Sequence, residues 1–509
     1  MAQRHSRPDD AAAVGESSAS VMPSVAIRKV AWGTAILTLF GLTPSLFLHA
    51  TGDIRNPDPF YYAQAARQVL AGQRLYTEVW PDKPPVLVWA YALPQLFVPR
   101  SYRGIAFFCG CCVAATAAMY VWAFRRAPAA AAACALFLAL FPLSYWDWAC
   151  PSSEIVANLF VAPVLIAALE IYRRGQSSLA LCLTIGVCGC LAFHVRQNMV
   201  LSLFVPIFAI GQTPRPCAEK LRALATIAAS GLACWAVILA AVFATGDVPM
   251  YFWTVFVYPR LYANLGAYQG NADWRWMLSS GPLPWIVAIF GILAATSRRQ
   301  TAFAFVVLAV GWGAAMLPGR NYSHYWANTF PFVALVVGLG VERLAKKTSW
   351  KAWLLSAGLA VVLVQAMFSY FGNERFGSRD LENYESIAAV ADEIAPPGGT
   401  LMVVGAMPCE AIQFASRLRP ANTFQWMFHL LEPNHRILPT PLEEIEREYL
   451  DSPPDVLVSG GAQGGRFHVG MAPEEIPADV RLVQALLVRY NYRPVARLGD
   501  FEILRRFEK

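Results

Sequence analysis

Charge is what this chain has least of. Only 15% of its 509 residues are Asp, Glu, Lys or Arg, against about 25% in soluble domains. That scarcity excludes a string of three or four ordinary soluble domains, which the length alone would suggest. Hydrophobic residues at 56% exclude disorder and collagen. Cysteine is present 11 times but never as CxxC or in a Cys/His metal spacing, and most copies sit in apolar runs as small hydrophobes. No metal site is indicated. No catalytic triad is apparent, and GGAQGG near 460–465 lacks the strand–loop–helix context of a nucleotide site. The first 27 residues are polar and alanine-rich. They read as a disordered leader too long for a tidy signal peptide.

What is abundant is aromatic and aliphatic: 30 Phe, 19 Tyr and 16 Trp. The charge is also unevenly placed. Residues 375–509 hold 14 basic and 19 acidic residues, an ordinary soluble composition, whereas residues 1–374 hold 27 basic and 15 acidic. Apolar runs near the ~20 residues that cross a bilayer recur at 31–50, 104–124, 128–146, 155–172, 178–193, 198–212, 221–245, 281–297, 301–317, 325–342 and 352–371. A further run at 84–98 is short and interrupted by proline. If it lies in the interface, five basic clusters (125–126, 173–174, 215–222, 298–299 and 343–351) share the side of Arg28 and Lys29, as the positive-inside rule requires. The expected architecture is therefore an α-helical polytopic membrane protein of about eleven spans. Residues 1–27 are cytoplasmic, 28–374 form the membrane domain with a first outer loop at 51–103 carrying interfacial helices, and 375–509 form a small extracytoplasmic α/β domain.

The first outer loop is the most informative stretch. Asp58 precedes Pro59, which suits a helix start with Asp58 as N-cap. Tyr61, Tyr62, Ala65, Ala66, Val69 and Leu70 then give a face suited to a membrane surface. Lys83-Pro84-Pro85 follows, with prolines that fix the backbone beside the Lys.

An Asp early in the first outer loop, a Tyr-Ala helix and a Lys-Pro-Pro before a Trp (Asp58, Tyr62, Ala63, Lys83, Pro84, Pro85, Trp89) resemble the GT-C superfamily of membrane glycosyltransferases. The protein O-mannosyltransferases and lipid A aminoarabinose transferases are the most similar members, over about residues 31–345. The chain departs from them at Pro59, where an acidic residue is usual, and at Asp82, where Glu is frequent. The resemblance implies transfer of a single sugar from a polyprenyl-phosphate donor to a hydroxyl or phosphate of a lipid, glycan or protein. The reaction would run at the outer face of the plasma (inner) membrane and is expected to be inverting. It implies no nucleic-acid partner and no required cofactor. A polyprenyl phosphate is a good leaving group, so the site must supply a base for the acceptor and positive charge for the departing phosphate. By resemblance Asp58 is that base and Lys83 holds the donor phosphate.

Further candidates come from the residues themselves. Asp147 and Glu154 in WDWACPSSEIV are expected second acidic residues facing the acceptor, together with Asp82. Glu154 equally suits the first turn of a helix capped by Ser152 or Ser153. Arg196 in HVRQN, and Arg320 with His324 in GRNYSHYW, are cations and a switchable imidazole at the membrane edge and are assigned to the donor phosphate, with lipid snorkelling as the alternative. In the tail, LMVVG and PDVLVSG read as buried strands, PLEEIEREYL as a helix and YRPVARLGDFEILRR as a hairpin. A lipid-linked sugar flippase or a non-catalytic envelope scaffold are the rival functions. The first would want ionisable residues at midmembrane, which the spans lack; the second leaves the Asp-to-Lys-Pro-Pro loop unexplained.

Overall fold

The computed structural model describes residues 41, 43–44, 58–140, 150–266, 297–318, 323–344, 378–404, 409–421, 438–460 and 478–507. Asp147, Arg320, the leader and the runs at 31–50, 281–297 and 352–371 lie, wholly or for nearly their whole length, outside these. In chain order the helices of the apolar part are α1 (Asp58–Leu70), α2 (Pro85–Phe97), α3 (Tyr102–Ala123), α4 (Pro128–Leu140), α5 (Ser153–Arg174), α6 (Leu179–Val195), α7 (Phe204–Gly211), α8 (Cys217–Thr245), α9 (Val248–Phe252), α10 (Tyr258–Gly266), α11 (Arg298–Met316) and α12 (Phe330–Leu344). Among the described residues five helical stretches are long and apolar enough to cross a bilayer: α3, α5, α8, α11 and His324–Arg343. The protein is thus built as an integral membrane protein. α2 has 13 residues and is about 20 Å long, short of a ~30 Å hydrocarbon layer.

Helices pack closely where side chains are small, as expected in lipid. A Cβ on Gly186 of α6 would stand 1.9 Å from Ser230 Oγ and 2.3 Å from the Ile227 carbonyl of α8. Where helices break inside the bundle, long polar side chains satisfy the freed carbonyls. Tyr91 donates to Pro151 O at 2.5 Å, Tyr120 to Pro331 O at 2.5 Å, Asn158 to Ala327 O at 2.8 Å and Asn198 to Ala314 O at 2.5 Å.

α1 differs from the amphipathic surface helix expected of it. Residues Pro59 to Ala66 are all buried. Phe60 stacks on Tyr102 of α3 at 4.5 Å, and Gln95 of α2 donates to Ala63 O at 2.7 Å. After α1 the chain makes a tight turn, with Leu75 bridged to both Val79 and Gly246. Gly246, at the C-terminal end of α8, has to be glycine there: a Cβ would stand 2.2 Å from Leu75 O.

The tail begins with α13 (Ser378–Ile394) and continues as β1 (Thr400–Val404), α14 (Cys409–Ala415), β2 (Arg419–Pro420), α15 (Leu442–Asp451), β3 (Val456–Ser459), α16 (Ala478–Arg489), β4 (Asn491–Leu498) and β5 (Phe501–Phe507). The sheet order is β2-β1-β3-β5-β4. β1 pairs in parallel with β2 and β3, while β5 runs antiparallel to β3 and β4. The two apolar runs ended by Gly are the central strands β1 and β3. The Gly-Asp hairpin is β4–β5, with Gly499 at φ 58° in the turn.

Candidate active site

The site is assembled by the first outer loop, the start of α5, the break after α6 and the 3-10 turn Ser323–Thr329. Asp58 begins α1. Its Oδ2 accepts a hydrogen bond from Tyr62 OH, one turn on, at 3.3 Å, and lies 3.8 Å from His324 Nε2. The same imidazole nitrogen is 3.9 Å from Glu154 Oε1. His324 therefore stands between two carboxylates that come from different segments.

Glu154 is fully buried in the first turn of α5. As the helix-start alternative has it, Glu154 lies in the first turn of α5 behind the N-cap Ser152, although Ser152 makes no side-chain capping bond. Glu154 pairs with Arg196, which also donates to Ser153 Oγ at 2.7 Å, and Ser153 Oγ in turn donates to Glu154 Oε2 at 3.1 Å. Arg196 stacks over the Tyr325 ring at 4.4 Å and is 5% exposed. That burial excludes the snorkelling alternative. Its position follows from the backbone: Arg196 is extended (φ −152°, ψ 116°) between α6, which it closes through Ala192 O, and the 3-10 turn Gln197–Leu203.

Asp82 and Lys83 form a second pair, Nζ to Oδ2 at 3.0 Å. Tyr258 donates to Asp82 Oδ2 at 3.4 Å, Tyr76 donates to Lys83 O at 2.9 Å, and the Lys83 ammonium sits over the Tyr62 ring at 5.5 Å. Asp82 has φ 40°, a left-handed conformation that Asp tolerates better than most residues. Burial pushes the Asp82 carboxyl up to about 6, with Lys83 opposing and Asp58 adding to the shift. Burial also pulls the Lys83 ammonium down, but Asp82 and Asp58 outweigh it and hold Lys83 above the ordinary lysine value.

The raised Asp82 value has a signed consequence. A native-state carboxyl that titrates near 6, against about 3.9 in the unfolded chain, favours the folded state fully below pH 4 and loses that contribution as pH rises through 6. The change is on the order of 3 kcal/mol. Asp82→Asn, which keeps the left-handed tolerance, is expected to flatten this part of the pH dependence. Thermal midpoints of parent and variant in detergent between pH 4.5 and 7.5 check it; parallel curves would contradict the assignment.

Beside these pairs lies a cavity of about 290 Å³. Lys83, Arg196 and Arg260 bring three cations to it, against the one carboxylate of Asp82, and Tyr258, Tyr262 and Tyr325 line the rest with Asn198 and Pro318. Of the residues expected from the sequence, Asp82, Lys83 and Arg196 line this cavity, Glu154 pairs with Arg196, and His324 stands between Glu154 and Asp58; Asp147 and Arg320 lie outside the described residues. Arg260, Tyr258 and Tyr262, not among the residues expected from the sequence, lie in an aromatic stretch that suits an interface belt or a groove for a polyprenyl chain equally well. The signal was there: Arg260 is the only charge between Asp247 and Asp273. His194, two residues before Arg196, faces elsewhere, with Nε2 at 2.8 Å from Tyr251 OH and Nδ1 at 2.8 Å from Cys190 O. Among the described residues no three His, Cys, Asp or Glu side chains are grouped to hold a metal ion.

No family model matches the chain, and no curated protein matches it in sequence. In three dimensions it is similar to ArnT from Cupriavidus metallidurans bound to undecaprenyl phosphate, with TM-score 0.60 over 94% of this chain and 98% of that one at 14% identity. The apo state of the same protein gives TM-score 0.59 over 93% and 98%, again at 14% identity. The chain has the GT-C fold. The superfamily resemblance carried by the first outer loop thus extends to the architecture, from the membrane helices through the tail. At this identity the likeness is one of fold, and chemistry has to be argued from the site itself.

Proposed function

We propose that the protein is a membrane glycosyltransferase that moves a single sugar from a polyprenyl-phosphate donor to an acceptor hydroxyl or phosphate at the outer face of the inner membrane, with a cytoplasmic N-terminus. The observation that carries this reading is the juxtaposition of a cation-rich cavity with Asp58 on a GT-C fold. Lys83 and Arg196 take the donor phosphate, and Arg260 adds charge at the cavity wall. Arg320 is assigned to the same group by its place in the sequence, four residues before His324. Asp58 accepts the acceptor's proton as the acceptor oxygen attacks the anomeric carbon. The bond from that carbon to the phosphate oxygen breaks, and the phosphate leaves with the electron pair. A single displacement of this kind inverts the anomeric centre.

Charge supplied by fixed side chains lowers the cost of that departing phosphate most where water is excluded. Tyr62 and His324 hold the Asp58 carboxylate from two sides, so its orientation is set before the acceptor arrives. Glu154 faces Arg196 and keeps that guanidinium in place. Asp82 does the same for Lys83. Asp147, by its place in the chain, is the acidic residue left to contact the acceptor, which is a lipid, glycan or protein.

The test is incubation of the purified protein with a panel of undecaprenyl-phosphate sugars and envelope extracts. Release of undecaprenyl phosphate with addition of one sugar is expected. Movement of the lipid-linked sugar across proteoliposomes without transfer would overturn the reading in favour of a flippase. Lys83→Met is expected to weaken binding of undecaprenyl phosphate by about tenfold to 100-fold, the worth of ~1.5–3 kcal/mol for a hydrogen bond to a charged group. Lys83→Arg restores this only in part, because the planar fork does not reproduce a compact ammonium. Unchanged binding in Lys83→Met would remove Lys83 from the phosphate site.

A further inference from the structure

The helix that starts with Asp58 ends against the tail. Arg67, in the last turn of α1, donates through NH1 to Phe414 O at 3.4 Å and to Ser416 O, and through NH2 to Leu418 O at 3.1 Å. These carbonyls lie in the last turn of α14 and just beyond it, where a helix leaves its acceptors unpaired. On the same helix Phe60 packs against Phe414, ring centroids 6.1 Å apart, while stacking on Tyr102 of α3. The carbonyls are held in position from the tail's own side. Asp392 of α13 accepts from Ser416 Oγ at 2.5 Å and from Arg417 N at 2.8 Å, and Leu418 N donates to Ser416 Oγ at 3.1 Å. Burial lowers the Arg67 guanidinium to about 10, with Arg100 adding to the shift and Asp392 opposing it. A desolvated cation that holds three carbonyls in a fork geometry is a rigid joint.

We infer that Arg67 is a positioning residue for the transfer reaction: by locking the end of α1 to the tail it sets where Asp58, at the other end of the same helix, stands relative to the phosphate cavity. The tail is then part of the catalytic apparatus. α1 has 13 residues, so a small swing of the helix displaces Asp58 relative to Lys83 and Arg196, whose ion pairs with Asp82 and Glu154 stand on other segments. Misplacing a base by about 1 Å costs up to ~100-fold in rate. This inference rests on the transferase reading above.

The experiment compares Arg67→Gln and Arg67→Lys with the parent in the full-length protein. It measures kcat on whichever undecaprenyl-phosphate sugar of the panel the parent turns over, and the Kd of undecaprenyl phosphate alone. Arg67→Gln is expected to lower kcat by about tenfold to 100-fold with Kd within about twofold of the parent, and Arg67→Lys to recover part of kcat. A general structural defect would move kcat, Kd and thermal midpoint together, and that outcome overturns the inference, as does parental kcat in Arg67→Gln. If Arg67→Gln does not accumulate, Asp392→Ala loosens the same joint from the tail side; a kcat-selective loss supports the inference and parental kcat overturns it. Asp58→Asn run in parallel separates the two levels. No transfer by the parent on any sugar of the panel sinks the transferase reading and full activity in Asp58→Asn removes Asp58 as the base, whereas an inactive Asp58→Asn beside a fully active Arg67→Gln sinks only the role of Arg67.

Discussion

Asp58→Asn is expected to bind undecaprenyl phosphate as the parent does and to transfer sugar about 10²–10⁴ times more slowly, the usual contribution of a general base. The amide keeps the size of the carboxyl and can still accept from Tyr62, so α1 and its packing remain. It cannot take a proton from the acceptor. The cations proposed for the phosphate stand on other segments and keep their direct partners: Lys83 keeps Asp82, and Arg196 keeps Glu154. Loss of kcat with an unchanged Kd and thermal midpoint is therefore the signature. A matching loss of lipid affinity would instead make Asp58 a structural cap of α1.

The second large effect concerns stability. Arg196 and Glu154 are 6% and 0% exposed in their side chains, and each is the other's counter-charge. Removing one partner of a buried pair leaves an uncompensated charge and costs about 3–5 kcal/mol. Arg196→Met strands Glu154 in the bundle core, beside Ser153 Oγ and the imidazole of His324. A sharp fall in thermal midpoint is expected, together with loss of the Tyr325 stacking partner. Replacing the pair as a unit, Arg196→Met with Glu154→Gln, removes both charges and is expected to recover most of that stability but not the transfer rate. The double-mutant cycle reads the coupling directly. Additive single effects would show that the pair contributes nothing as a pair, and a double variant with parental activity would take Arg196 out of the phosphate site.

These two experiments probe parts of the site that were unequally legible in the sequence. Asp58 and Lys83 could be read because proline marks both: Pro59 opens α1, and Pro84-Pro85 opens α2 directly after the Lys. Local chemistry fixed local backbone. Glu154, Arg196 and His324 sit in three segments far apart in the chain, and nothing within any one segment says that they converge. For Glu154 local reasoning pointed to a helix start, which is where it lies, but its carboxylate turns to Arg196. Tertiary pairing decided the outcome. Arg260 and its neighbouring tyrosines were hidden because aromatic residues serve equally as interface belt and as cavity wall. The tail shows the same split. Its strands and hairpin were visible as short apolar runs and a Gly-Asp turn, whereas the order β2-β1-β3-β5-β4 and the grip of α14 on α1 depend on contacts between distant segments.

α8 bears on the site in another way. It has 29 residues, about 43 Å of helix, set against a hydrocarbon layer of about 30 Å. Leu232, Val237 and Phe243 on it are exposed, so lipid is its neighbour along much of its length. A helix longer than the bilayer accommodates the mismatch by tilting or by thickening the lipid around it. Its C-terminal end meets Gly246, bridged to Leu75 in the loop that leads to Lys83. A change in the angle of α8 is therefore felt first at that glycine, where no side chain stands between the helix end and the loop backbone.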